Sequence, residues 1–154
     1  LLNKLPHYEW NGITVRYVCN KVYHLMNGIY TINNKKILAI GGAESHDKEY
    51  RIENVDWWKQ ELPSATQLGN LKNAINSSDK KFDIIITHCA PDWVQNHFVD
   101  TDYPNNRLTH FLDDVSNTVQ YREWYCGHYH KDESLIIDGA TGFTFLYNNV
   151  EQII

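Results

Sequence analysis

Apolar positions fall along this chain in two rhythms, and the rhythms divide it into elements. Gly12 to Val18 alternates as a strand does. Gly28 to Ile32, then Asn33-Asn34, then Lys35 to Ile40 reads as a β-hairpin, because paired asparagines tolerate the positive φ angles of a two-residue turn. Gly41-Gly42 ends the second strand and permits close backbone approach beyond it. Trp57 to Leu62 predicts a short helix stopped by Pro63, with Trp57-Trp58 anchored in the core. Ser64-Ala65-Thr66-Gln67 has the form of a capping box, and Leu68, Leu71 and Ile75 continue it as a helical stripe as far as Ser77-Ser78.

The second half follows the same logic. Ile84-Ile85-Ile86, within Phe82 to Thr87, is an unbroken β-branched run and predicts a strand buried on both faces. A polar, aromatic loop is expected from there through Asn106. Leu108, Phe111, Leu112 and Val115 form another helical stripe. Arg122 to Cys126, Leu135 to Ile137 and Phe143 to Tyr147 read as the last strands, with turns at Asp138-Gly139 and Thr141-Gly142. The fold class is mixed α/β, strand-rich in its first and last thirds.

A length of 154 residues suits one domain, and 42% hydrophobic content with five tryptophans is enough for a real core. The net charge of −5 and the lack of a dense Lys/Arg block argue against a nucleic-acid footprint; Lys35-Lys36 and Lys80-Lys81 read as solvated entries to strands. No apolar run approaches the roughly 20 residues that span a bilayer, so no membrane partner is expected. Three widely spaced cysteines, Cys19, Cys89 and Cys126, form no C-x-x-C pair and fit a reduced, cytoplasmic setting.

Chemistry concentrates at strand ends. Gly127-His128-Tyr129-His130 places two histidines just beyond a strand, and Thr87-His88-Cys89-Ala90-Pro91 delivers a third from the isoleucine strand into a loop stiffened by proline. G-H-x-H alone is a weak signal that also describes a polar turn. Two such strand ends together favour metal ligation by His88, His128 and His130. Three imidazoles suit zinc with an open position for water, and suit magnesium less. Cys89 and Cys126 adjoin these histidines but read as small packing residues. The glycine-led polar loop from Gly41 to Lys48, with Arg51 nearby, offers Ser45, His46 and Arg51 as substrate contacts; a solvated connection describes it equally well.

Taken together, these stretches resemble the calcineurin-like metallophosphoesterases. That family's pattern runs D-x-H, G-D-x-x-D, G-N-H-D/E, a later histidine, then G-H-x-H. Thr87-His88-Cys89-Ala90-Pro91 is similar to the later histidine motif and Gly127-His128-Tyr129-His130 to the last one. Gly41 to Lys48, followed by Trp57 to Glu61, resembles a stretch common in bacterial members. The resemblance implies two mixed sheets flanked by helices in four layers, of which residues 1–154 would be the C-terminal half. It implies a dinuclear centre of manganese, iron or zinc, with His88 and His128 on one metal and His130 on the other. It implies hydrolysis of a phosphorylated small molecule, nucleotide or phosphoprotein by metal-activated water.

D-x-H, G-D-x-x-D and G-N-H-D/E do not occur in the sequence. The chain by itself is therefore expected to be a poor catalyst or none, with the activity residing in a longer parent protein and the exposed half-sheet open to dimerisation. The alternative is a non-catalytic metal-binding or protein-interaction module. A thiol hydrolase built on Cys89 or Cys126 ranks last, since no orienting third group is evident.

Overall fold

The computed structural model describes residues 4–10, 12–45, 47–99, 103–137 and 139–153. The described residues form a mixed α/β structure with two sheets and three α-helices. A three-stranded antiparallel sheet comes first: β1 (His7–Trp10), β2 (Ile13–Cys19) and β3 (Val22–His24). A six-stranded mixed sheet follows, in the order β4-β5-β6-β7-β9-β8. Its strands are β4 (Gly28–Ile32), β5 (Lys35–Ile40), β6 (Lys81–Thr87), β7 (Gln120–Cys126), β8 (Glu133–Ile137) and β9 (Thr141–Phe145). The four inner strands β5, β6, β7 and β9 run parallel, and β4 and β8 close the two edges antiparallel.

Local chemistry explains most of these elements. Asn33 and Asn34 both take left-handed φ angles, 47° and 61°, and so give β4 and β5 their tight turn. Helix α1 (Ala65–Asn76) opens on the full capping box, with Ser64 and Gln67 exchanging side-chain bonds. Helix α3 (Arg107–Thr118) is capped the same way by Asn106 and Thr109. The expected loop between β6 and α3 instead contains α2 (Asp92–Phe98), which starts immediately after Pro91. At seven residues it is too short to show a repeating apolar stripe.

Other expectations shift in instructive ways. Trp57 to Leu62 forms only a 3-10 turn at Lys59–Glu61, and Trp58 is 43% exposed rather than a core anchor. A bond from the Asn54 amide to the Trp57 carbonyl uses up the backbone that a longer helix would need. Thr141-Gly142 is not a turn: Gly142 lies in β9, paired with Glu123 of β7. Asp138 lies outside the described residues. β1 and β3 escape sequence reading because His7-Tyr8-Glu9-Trp10 and Val22-Tyr23-His24 are too short and too polar to register an alternation.

The parallel sheet buries both faces, as the isoleucine run in β6 requires. On one side Leu38, Ile85, Trp124 and Phe143 pack against Leu71 and Ile75 of α1, Val94 of α2 and Leu108, Leu112 and Val115 of α3. Trp124 and Phe143 stack at 5.7 Å and are fully buried. On the other side Ile37, Ile84 and Tyr125 lie under Trp10, Ile13 and Leu25, which descend from the three-stranded sheet and its exit. The face that the resemblance leaves open is thus covered at its centre by this chain's own residues. No helix is long and apolar enough to cross a membrane among the described residues.

Candidate metal centre

Because β5, β6 and β7 are parallel, the loops that leave them emerge at one edge of the sheet, where α/β proteins bind ligands. Those loops begin at Gly41, His88 and Gly127, and they are bonded to one another. The Gly127 amide donates to the His88 carbonyl at 3.0 Å, and the Cys89 thiol approaches the Gly42 carbonyl at 3.5 Å. Strand pairing therefore assembles the site from three distant stretches of sequence.

Behind His88, buried Thr87 holds the turn. Its hydroxyl donates to the Cys89 carbonyl at 2.6 Å and accepts the Trp124 indole N–H at 2.8 Å. The His88 imidazole comes within 5.1 Å of that of His128, centre to centre, with the rings inclined by 62°. His88 keeps one side open to solvent, yet the protein around the ring lowers its pKa, first by desolvation and then by the charge of His130, with Glu61 opposing. The ring is thereby biased to its neutral form, the form that lends a lone pair to a cation.

His128 and His130 both adopt left-handed φ angles, 70° and 52°. For residues other than glycine that conformation costs on the order of 1 kcal/mol each. Tyr129, between them, holds the strained turn in place. Its amide donates to the Gly127 carbonyl at 2.9 Å, and its ring is buried against Phe145 and Tyr103. Its hydroxyl accepts the Ala90 amide at 2.9 Å and donates to Gln95 Oε1 at 3.0 Å. Gln95, itself buried, uses its amide nitrogen on the Tyr103 carbonyl and on Asn105 Oδ1. Tyr103 in turn lies 4.9 Å from the His128 ring. Sequence reading treated Tyr129 as the free position of G-H-x-H, although a tyrosine between two histidines, with a polar end able to tie one loop to another, carries a signal of its own.

His130 does not join the other two. It stacks on Tyr147 at 4.7 Å and 23°. Asp132 steadies that neighbour by accepting the amides of Tyr147, Asn148 and Asn149, and those bonds hold its carboxyl below the ordinary aspartate value.

Of the substrate contacts read from the sequence, Ser45 donates to Glu61 Oε2 at 3.1 Å. Arg51 is engaged within its own loop, by an ion pair with Asp47 at 2.7 Å and a bond to the Asp56 carbonyl at 3.1 Å. His46 lies outside the described residues. Cys89 and Cys126 are buried, and burial pushes the Cys89 thiol up to about 12 and that of Cys126 well above its ordinary value. Neither is poised as a nucleophile. A separate depression of about 360 Å³ lies at the opposite end of β7, against Trp93, Asn117, Gln120 and Tyr121, remote from the histidines.

Ring spacing gives a test of whether these residues suit a metal. A bond of 2.0–2.1 Å to an imidazole nitrogen puts the ring centre about 3.2 Å from the ion, so two ligands at a tetrahedral angle have centres about 5.2 Å apart. The 5.1 Å between His88 and His128 matches that spacing, which is also the spacing of ordinary packed rings such as Tyr103 and Tyr129. No cluster of three or more His, Cys, Asp or Glu side chains is placed to hold a metal among the described residues. No protein-family model matches this chain, and no curated protein matches it in sequence.

Proposed function

We propose that this chain supplies the histidine side of a metal-dependent phosphoester hydrolase site. The observation that carries the reading is the His88–His128 pair, 5.1 Å apart at the C-terminal edge of parallel strands. In this reading His88 and His128 hold one divalent ion and His130, turned aside on Tyr147, belongs to a second. Such ions, manganese, iron or zinc, would neutralise phosphate oxygens and lower the pKa of bound water. The residues of this chain do the positioning. Thr87 and Tyr129 fix the two loops, and desolvation biases His88 toward its neutral form. The carboxylate motifs of the resembled family are not among these 154 residues, so hydrolysis by this reading needs ligands from outside them. The substrate class is a phosphorylated small molecule, nucleotide or phosphoprotein.

The test is hydrolysis of p-nitrophenyl phosphate and its diester with manganese, by a longer chain that carries the carboxylate motifs. Activity that falls by orders of magnitude in His88→Ala and His128→Ala supports the reading. Activity indifferent to both substitutions and to chelators rejects it. A second reading, a non-catalytic metal-binding or interaction module, draws on the fact that only two imidazoles meet among the described residues. A longer chain that binds manganese tightly but turns over neither ester selects that module.

A further inference from the structure

Three rings surround the His128 imidazole. His88 lies 5.1 Å from it centre to centre, Tyr103 4.9 Å and Tyr129 5.1 Å, inclined by 62°, 58° and 75°. Such tilted contacts are directional, and together they restrict the rotamers open to the ring. Two of the three neighbours are tied to one side chain, Gln95 of α2, which is 3% exposed. Its Oε1 accepts the Tyr129 hydroxyl at 3.0 Å, and its Nε2 donates to the Tyr103 carbonyl at 2.8 Å and to Asn105 Oδ1 at 2.9 Å. An apolar side chain would fill this place without the cost of burying an amide. What only the amide supplies is a fixed link between the turn after β7, which carries Tyr129, and the irregular stretch before α3, which carries Tyr103. The two tyrosine rings also meet each other, at 5.1 Å and 80°.

We propose that Gln95 is a positioning residue for His128: through Tyr103 and Tyr129 its amide sets the direction of the His128 imidazole, and with it the approach of that ring to a cation shared with His88. The inference rests on the reading of that pair as a cation site. Gln95 acts at one remove. Its side-chain bonds go to the two tyrosines and Asn105, and the tyrosine rings carry the constraint to His128. Groups that orient a ligand from behind commonly alter metal affinity by roughly 10- to 100-fold. A constraint passed on through ring contacts belongs at the lower end of that range.

The experiment uses the purified 154-residue chain at neutral pH and two readouts. NMR follows the imidazole signals of His128 in the metal-free chain, assigned by their loss in His128→Ala, and calorimetry follows binding of Zn²⁺. Gln95→Met keeps the length of the side chain and removes its bonds. Tyr103→Leu keeps the backbone carbonyl that Gln95 holds and removes the ring against His128, so it decides alone where Gln95→Met does not fold. Ile75→Ala, a core truncation on α1, controls for lost stability without touching this network. The expected result is displaced His128 signals and roughly tenfold weaker Zn²⁺ binding in Gln95→Met and Tyr103→Leu, with neither change in Ile75→Ala. Wild-type affinity in both variants, with binding still lost in His88→Ala, overturns the role of Gln95 and leaves the site standing. Equal changes in Ile75→Ala make Gln95 an ordinary stabilising residue and also overturn the inference. No Zn²⁺ binding by the wild-type chain, or binding that survives His88→Ala and His128→Ala, removes the site and the inference together.

Discussion

Replacing Tyr129 by phenylalanine removes one oxygen atom and disconnects two loops. In the intact chain that oxygen accepts from the Ala90 amide at 2.9 Å and donates to Gln95 Oε1 at 3.0 Å, in surroundings where Ala90 is 0% and Gln95 3% exposed. Phenylalanine refills the ring volume, so no sizeable cavity opens. Each lost bond is worth about 1 kcal/mol net, and a buried group left without a partner costs about 1–3 kcal/mol. Gln95 keeps the two bonds its amide nitrogen makes to Tyr103 and Asn105, but its buried Oε1, like the Ala90 amide, loses its partner, so both groups bear the penalty. The expected destabilisation is about 2–3 kcal/mol. In a chain of this size that lowers Tm by roughly 5–10 °C. Urea unfolding checks it through a lower midpoint at unchanged slope, the sign of lost stability without a change in compactness. Pairing Tyr129→Phe with Gln95→Met in a double-mutant cycle isolates their mutual term, expected at about 1 kcal/mol. A loss below about 0.5 kcal/mol, the range of ordinary surface changes, refutes the idea that this hydroxyl ties the loops together.

Two further outcomes follow from local geometry. Gly42→Ala places a methyl 2.6 Å from both the Glu61 carbonyl oxygen and Pro63 Cδ at a φ of 114°, so it costs at least about 2–3 kcal/mol, seen as a fall in Tm; a Tm within a degree or two of wild type contradicts the described turn. Cys19 is exposed while Cys89 and Cys126 are buried with raised thiol pKa values, so iodoacetamide at pH 8 labels one cysteine in the native chain and all three after denaturation, as mass spectrometry reads directly. Fast native labelling of Cys89 would revive a thiol mechanism.

The parts of the fold that were legible in the sequence are those whose cause is local. Asn33-Asn34 writes a turn in two residues, Ser64 and Gln67 write a helix start in four, and three successive isoleucines demand a strand with two covered faces. What stayed hidden depends on partners distant in sequence. Trp10 and Ile13 belong to a small sheet because it covers Ile37 and Ile84, a fact no window around residue 10 contains. Trp57-Trp58 looked like core because tryptophan usually is, and backbone bonds within the loop decided otherwise. At the candidate site, spacing alone singled out His88, His128 and His130. That the first two meet while the third stacks on Tyr147 is set by loop conformation, and Gln95 comes into view only once the strands are aligned.

The parallel order of β5, β6 and β7 also governs when the site can exist. Ile84 pairs with Ile37 far upstream and with Glu123 far downstream, and each pairing must close a long loop before it gains any contact energy. During synthesis His88 leaves the ribosome well before His128, and the two cannot approach until β7 has docked. A cation therefore cannot template the early collapse of this chain through that pair. A cation held as proposed would act as a late lock, bound only by the finished sheet, and would raise the stability of that sheet by mass action according to its concentration and affinity.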